Sequence, residues 1–231
     1  MGCGNTLELL AMRIIGCSLC PRLSRYRVEV AKKYSGESFW SKPVPGYGDP
    51  MARVFVAGLA PAARGGNRTG RVFTGDETSN NLMRALYDAG YANQPYSISK
   101  DDSLILRDIY LTASVKCVPP ENRPTKEEIL NCSNYLVEEI RILGRARVFI
   151  ALGRIAWEAL KHAIGIALGA SIPNYRFYHG AEYMVNTMLR GSVWLIASYH
   201  PSPRNMKTGR LSHEMLVSIF RRARELADLY P

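Results

Sequence analysis

Residues 53–59 read Arg-Val-Phe-Val-Ala-Gly-Leu and are followed at once by Ala60-Pro61. An apolar, β-branched run this short, stopped by Gly and Pro, reads as a strand buried on both faces, since a helix needs more residues to bury a stripe. Three similar runs lie downstream: IYLTASV at 109–115, VFIAL at 148–152 and VWLIASY at 193–199. Helical patterns separate them. One opens at Glu77, runs to Ala89 and stops at Gly90, a residue suited to left-handed closure. In the next, Thr125 and Glu128 have the spacing of a capping box, and Ile129, Cys132, Leu136, Ile140 and Leu143 recur at helical intervals. A third pattern follows Gly153, and a fourth runs from about Leu211 to Tyr230, with Leu211, Met215, Ile219, Ala223 and Leu226 on one face. Strand and helix thus alternate four times. That order predicts an α/β fold, a three-layer αβα arrangement around a central, mainly parallel four-stranded sheet.

Working outward, no internal repeat or low-complexity linker divides the chain, so residues 1–231 read as a single domain, with 1–50 as an N-terminal arm wrapped on it. A 47% hydrophobic content over 231 residues is enough for a continuous core and excludes disorder and collagen-like sequence. No run reaches the roughly 18 apolar residues of a membrane span. The apolar stretch 7–15 is interrupted by Glu8 and Arg13, and no secretory signal pattern precedes it. The expected setting is intracellular. The single Gln94 and 22 Arg against 8 Lys hint at a thermophile.

Charge narrows the partner. Thirty Lys plus Arg against 20 Asp plus Glu give a formal +10, which favours a polyanion. Ligands of such folds bind at the carboxyl ends of the strands, here loops 60–75, 116–125 and 200–210. The first holds Arg64, Arg68 and Arg71 and no acid, and the last holds Arg204, Lys207 and Arg210 and no acid. The excess is therefore expected where a phosphate backbone would lie.

Five cysteines are a second unusual count. Cys17-Ser-Leu-Cys20 is a CxxC knuckle, and Cys117 and Cys132 lie 15 positions apart. Four thiolates could hold zinc or an iron–sulfur cluster. Equally, Cys132 could serve the helix's buried stripe and Cys117 a strand end as small hydrophobes, or the four could pair as disulfides. Cys3, near the terminus, stays unassigned.

Three loop motifs carry a family resemblance: Gly58-Leu59-Ala60-Pro61-Ala62-Ala63-Arg64-Gly65-Gly66-Asn67-Arg68-Thr69-Gly70-Arg71-Val72-Phe73-Thr74-Gly75-Asp76, then Val115-Lys116-Cys117-Val118-Pro119-Pro120-Glu121-Asn122-Arg123-Pro124-Thr125, then His200-Pro201-Ser202-Pro203-Arg204-Asn205. Together, in that order and with the four cysteines, they resemble the uracil-DNA glycosylase superfamily, in particular its type-B, or family 5, members. The resemblance covers the chain from about Cys17 to the last helix. It implies a structural 4Fe-4S cluster on Cys17, Cys20, Cys117 and Cys132. It also implies DNA containing uracil or other damaged bases as substrate, and hydrolysis of the N-glycosidic bond to leave an abasic site.

The chemistry fits those residues. An enzyme acting on a base in duplex DNA must flip the nucleotide and hold the base by stacking and edge hydrogen bonds. Phe73 can supply the stacking face, with Gly58, Ala60 and Gly75 around the base. Bond cleavage toward a sugar cation and a base anion calls for a carboxylate near the sugar and a donor near the departing oxygen. The resemblance assigns these to Asp76 and His200. Asp76 also suits the N-cap of the helix at Glu77, and His200 alone would read as a loop residue. Ser202 and Pro203 would press the DNA backbone, Arg204 would fill the gap left by the flipped base, and Arg64 would meet phosphate.

Two departures from the superfamily pattern stand out. The first loop, Gly58-Leu59-Ala60-Pro61-Ala62, offers only backbone groups where relatives carry a polar water-handling side chain. Ala113 and Ser114 replace a base-reading Asn, which leaves Asn122 as the nearest amide and predicts a pocket of broad base specificity. No Lys stands among these site residues, so Schiff-base lyase chemistry is not expected. His162, His179 and His213 read as structural and Arg221, Arg222 and Arg224 as a solvated face. The alternatives are a cluster-stabilised nucleic-acid binding protein without catalysis, and a nucleotide phosphate cradle at loop 64–75, which lacks the Gly-Lys-Ser/Thr ending of a P-loop.

Overall fold

The computed structural model describes residues 3–34 and 36–230. Its sheet has six strands: β1 (Tyr47–Gly48), β2 (Val54–Gly58), β3 (Ile109–Ala113), β4 (Val148–Leu152), β5 (Glu182–Thr187) and β6 (Gly191–Ser198), in spatial order β1-β3-β2-β4-β6-β5. The four expected runs form the parallel centre, β3-β2-β4-β6, with Val54 opposite both Ile109 and Val148, and Val148 opposite Trp194. The expectation of four strands is corrected at the edges, where β1 and β5 add antiparallel. Neither edge strand could be read from an apolar run. The first is two residues long, and the second, EYMVNT, buries only Val185.

Alternation along the strands sorts the core into two layers. Val54, Val56, Ile109, Leu111, Val148 and Ile150 face helices α4 (Glu77–Asp88) and α8 (His213–Asp228), meeting Leu82, Leu86, Phe220 and Ala223. Phe55, Ala57, Phe149, Ala151 and Leu195 face α5 (Lys126–Ile142) and α6 (Arg154–Leu168), meeting Leu136, Ile140, Trp157 and Leu160. The capping box that opens α5 is formed at both ends, Glu128 N–H to Thr125 Oγ1 and Thr125 N–H to Glu128 Oε2.

Residues ahead of β1 form two helices, α1 (Cys3–Ile15) and α2 (Pro21–Lys32). Leu10 and Ile14 of α1 and Leu23 and Val30 of α2 are buried. Arg13 pairs with Glu138, and Arg22 makes a two-pronged contact with Glu128, so both helices are tied to α5. Cys3 directs its thiol to the carbonyls of Pro50 and Ile142. Two loops read as irregular hold short helices, α3 (Gly66–Thr69) and α7 (Pro203–Lys207). Among the described residues no helix is long and apolar enough to cross a membrane.

Candidate active site and cysteine group

A cleft of about 380 Å³ opens at the carboxyl ends of the parallel strands, as the topology requires. Ala60, Phe73, Asp76, Asn122, His200, Ser202 and Pro203, drawn from three separate loops, all line it. Gly58, Gly75, Arg64 and Arg204 do not.

Phe73 adopts φ +49°, a left-handed conformation that costs a non-glycine residue about 1–2 kcal/mol. Its neighbours hold it there. Arg71, expected on a phosphate, is buried instead: its Nε donates to Thr74 Oγ1, its Nη2 to Ser97 Oγ and to Asp102 at 2.6 Å, and its guanidinium lies over Tyr47. The expectation of uniformly available positive loops is corrected here. Arg71 spends its charge within the fold, bracing the turn that presents Phe73. Gly58 lies beneath that ring, where a Cβ would stand 2.5 Å from Phe73 Cζ. Its part is to make room for the stacking face.

Asp76 caps α4. Its Oδ1 accepts from Ser79 N–H and from Ser79 Oγ, both at 2.7 Å, and among the described residues no hydrogen bond takes up Oδ2. A Cβ on Gly65 would overlap that Oδ2, so glycine at 65 is what lets the carboxylate sit where it does. His200 stands across the cleft. Burial pushes its imidazole below the ordinary histidine range, and the nearby Asp76 carboxylate partly offsets this. The ring is therefore neutral near pH 7, with one nitrogen able to donate and one to accept. Two amides fix its loop: Asn81 Nδ2 donates to Pro201 O at 3.1 Å and Asn205 Nδ2 to His200 O at 2.8 Å. Since Asn81 belongs to α4, the helix capped by Asp76 also holds the His200 loop.

Asn122 is exposed at the rim, at φ +56°, in a 3-10 turn over Pro120–Asn122. Ser114 turns inward and donates to Gly58 O. Sequence reading missed Thr78 and a wall formed by Leu152, Gly153, Arg154, Ile155 and Ala156. Leu152 ends β4, Gly153 is a single-residue turn too short to register as a loop, and Arg154, Ile155 and Ala156 open α6. Of the basic residues, Arg204 is exposed, Arg64 pairs with Glu37 at 3.0 Å, Lys207 lies 3.6 Å from Glu77, and Arg210 stacks on Tyr199. Lys116, within the second motif, is buried against Glu139 and is closed to a substrate.

Other assignments resolve locally. His213 pairs with Asp88 and His179 accepts from Tyr199 N–H, while His162 is exposed. Arg222 bridges Glu182 and Glu225, but Arg224, expected in solvent, covers the Tyr91 ring.

Cys17, Cys20, Cys117 and Cys132 are free thiols that act electrostatically on one another. Cys117 and Cys132 are buried together with Leu23 and Val115, and Cys20 packs against them. Burial pushes the Cys132 thiol up to about 12, so without a metal it stays protonated near neutral pH. Three of the sulfurs have a donor at hand: Asn131 Nδ2 at Cys20, Arg27 Nη1 at Cys117 and Lys116 N–H at Cys132. Such donors suit ligated thiolates. Among the described residues no group of three or more ligating side chains is drawn together as a metal site. The donor set is all sulfur, the chemistry of an iron–sulfur cluster as of a four-cysteine zinc site.

A three-layer αβα protein with a carboxyl-end cleft lined by an aromatic ring, a carboxylate and a neutral imidazole is built to hold a flat ligand beside acid–base groups. Residues 45–224 match the family described as the Uracil DNA glycosylase superfamily, and the chain belongs to it. At finer resolution it is 48% identical over 213 residues to the type-5 uracil-DNA glycosylase of Pyrobaculum aerophilum, covering 91% of this chain and 89% of the relative. The type-5 enzyme of Thermus thermophilus is 44% identical over 225 residues, 96% and 99% of the two chains. A type-4 uracil-DNA glycosylase of Pyrobaculum aerophilum shares only 33% over 160 residues, 69% and 66%.

Proposed function

We propose that the chain is a DNA repair glycosylase that flips uracil out of DNA and hydrolyses its N-glycosidic bond. The observation that carries this reading is the meeting of Phe73, Asp76 and His200 in one cleft. The flipped base stacks on Phe73. As the bond breaks, the free Oδ2 of Asp76 offsets the positive charge of the sugar or orients water. His200, neutral, donates to the oxygen of the departing base, and Asn122 reads its edge from the rim. Ser202 and Pro203 bear on the backbone of the DNA, with Arg204 entering the vacated stack and Arg64 on phosphate. A wall of Leu152 and Ile155 with no second amide selects shape more than pattern, so the pocket accepts damaged bases beyond uracil. The protein acts as a monomer and a single unit in the cytoplasm, where its substrate is.

Cys17, Cys20, Cys117 and Cys132 hold a 4Fe-4S cluster in this reading. When bound, the cluster supplies covalent cross-links, tying the segment before α2 to the loop after β3 and to α5. The N-terminal helices, already docked through Leu10, Ile14, Leu23 and Val30, gain a further tie that way.

The test is to incubate the protein with a duplex carrying one uracil and then treat with alkali. Strand cleavage at that position is expected, with none before alkali. Intact strands at stoichiometric protein would leave the non-catalytic DNA binder as the better reading.

A further inference from the structure

We propose that Arg27 is a hydrogen-bond partner of the cluster and the residue that links it to the loop carrying Phe73 and Asp76; this rests on the cluster reading above. Arg27 belongs to α2, the helix that starts directly after Cys20. Its Nη1 donates to Cys117 Sγ at 3.2 Å. Its Nε is buried and has no acceptor among the described residues, an arrangement proteins avoid because an N–H withdrawn from water needs a partner. No carboxylate pairs with the guanidinium among the described residues, so its permanent charge also lacks a counter-charge. Four cysteine thiolates and the sulfides of a cluster supply both missing things: anionic charge beside Cys117 and sulfur acceptors for N–H groups.

The main chain of the same residue faces the other way. Arg27 O accepts from Asn67 Nδ2 at 3.1 Å. Asn67 is 1% exposed and sits in α3, inside the loop that leads to Phe73 and Asp76. Asn67 O in turn accepts from Ser41 N–H. One residue therefore has its side chain at the cysteine group and its carbonyl on the catalytic loop, a short mechanical path between cofactor and cleft.

The experiment compares cluster retention in the purified wild type, Arg27→Gln and Arg27→Lys, with Arg25→Gln as a control from an exposed position on the same helix. Iron content and brown visible absorption are followed under a chelator, after circular dichroism has established that each variant is folded. Loss of a partner of this kind weakens metal binding about 10–100-fold, so bleaching about tenfold faster is expected for Arg27→Gln. Arg27→Lys, which keeps charge but not the fork, should fall between, and Arg25→Gln should match wild type. Should Arg27→Gln fail to fold, the Lys variant bears the test. Wild-type retention in a folded Arg27 variant would overturn the assignment. A colourless, iron-free wild type would instead remove the cluster reading itself.

Discussion

Asp76 holds two positions at once. As the N-cap of α4 it engages Oδ1 with Ser79, while Oδ2 lies against Gly65, where a Cβ would overlap it. Structural and chemical roles are separable by one substitution, because Asn caps a helix about as well as Asp. Asp76→Asn should keep the fold and most of the affinity for uracil-containing DNA while turnover falls about 10²–10⁴-fold, the usual span for a positioned acid–base group. Single-turnover rates and binding to the same duplex decide it. Unchanged turnover would leave Asp76 with only its cap. The residue's type and its cap position were legible, since both are local. Gly65's contribution was not, because it depends on two segments meeting in space.

At the scale of elements, the central strands and their helices were readable because burial on both faces leaves a continuous apolar run. Edge strands have no such signature, and β1 and β5 were missed for that reason. Loop charge misled in a similar way. Arg71 looked available beside Arg64 and Arg68, yet its partner Asp102 lies 31 positions away and no local pattern announces it. Lys116 is the sharper case: it is 1% exposed, its Nζ lies 2.8 Å from Glu139 Oε2 on α5, and Thr112 donates to the same carboxylate. This pair pins the end of β3, where Cys117 follows, to α5, where Cys132 sits. Removing one member leaves a buried charge uncompensated, at a cost of about 3–5 kcal/mol. Lys116→Met should therefore lower Tm by about 6–20 °C, at about 2–4 °C per kcal/mol for a chain of this size. Lys116→Met with Glu139→Leu should recover most of that loss. Thermal melts of wild type, single and double variants provide the check, and a double variant no better than the single one would refute the account.

For the whole molecule, a net charge of +10 states only that a polyanion is attractive; affinity depends on which cations are free to meet it. Of six basic side chains in the two cleft loops, Arg71 is buried against Asp102, and Arg68 is held by the carbonyls of Arg64 and Gly75. Arg204 and Arg210 have no carboxylate partner among the described residues. Arg64 and Lys207 are in exposed pairs, which exchange partners at little cost. Four cations of these two loops thus remain to displace counterions; at a slope of about −0.9 each in log affinity against log salt, the two loops contribute about −3.6. Arg204→Ala should flatten the slope by about one such increment. Arg71→Met, if it folds, should leave the slope unaltered while weakening base stacking through Phe73. Titrations of a uracil-containing duplex at several salt concentrations distinguish these outcomes. A slope near six increments that falls by one in Arg71→Met would mean that Arg71 leaves its internal partners on binding DNA, and the loop would then have to refold around Phe73 in the complex.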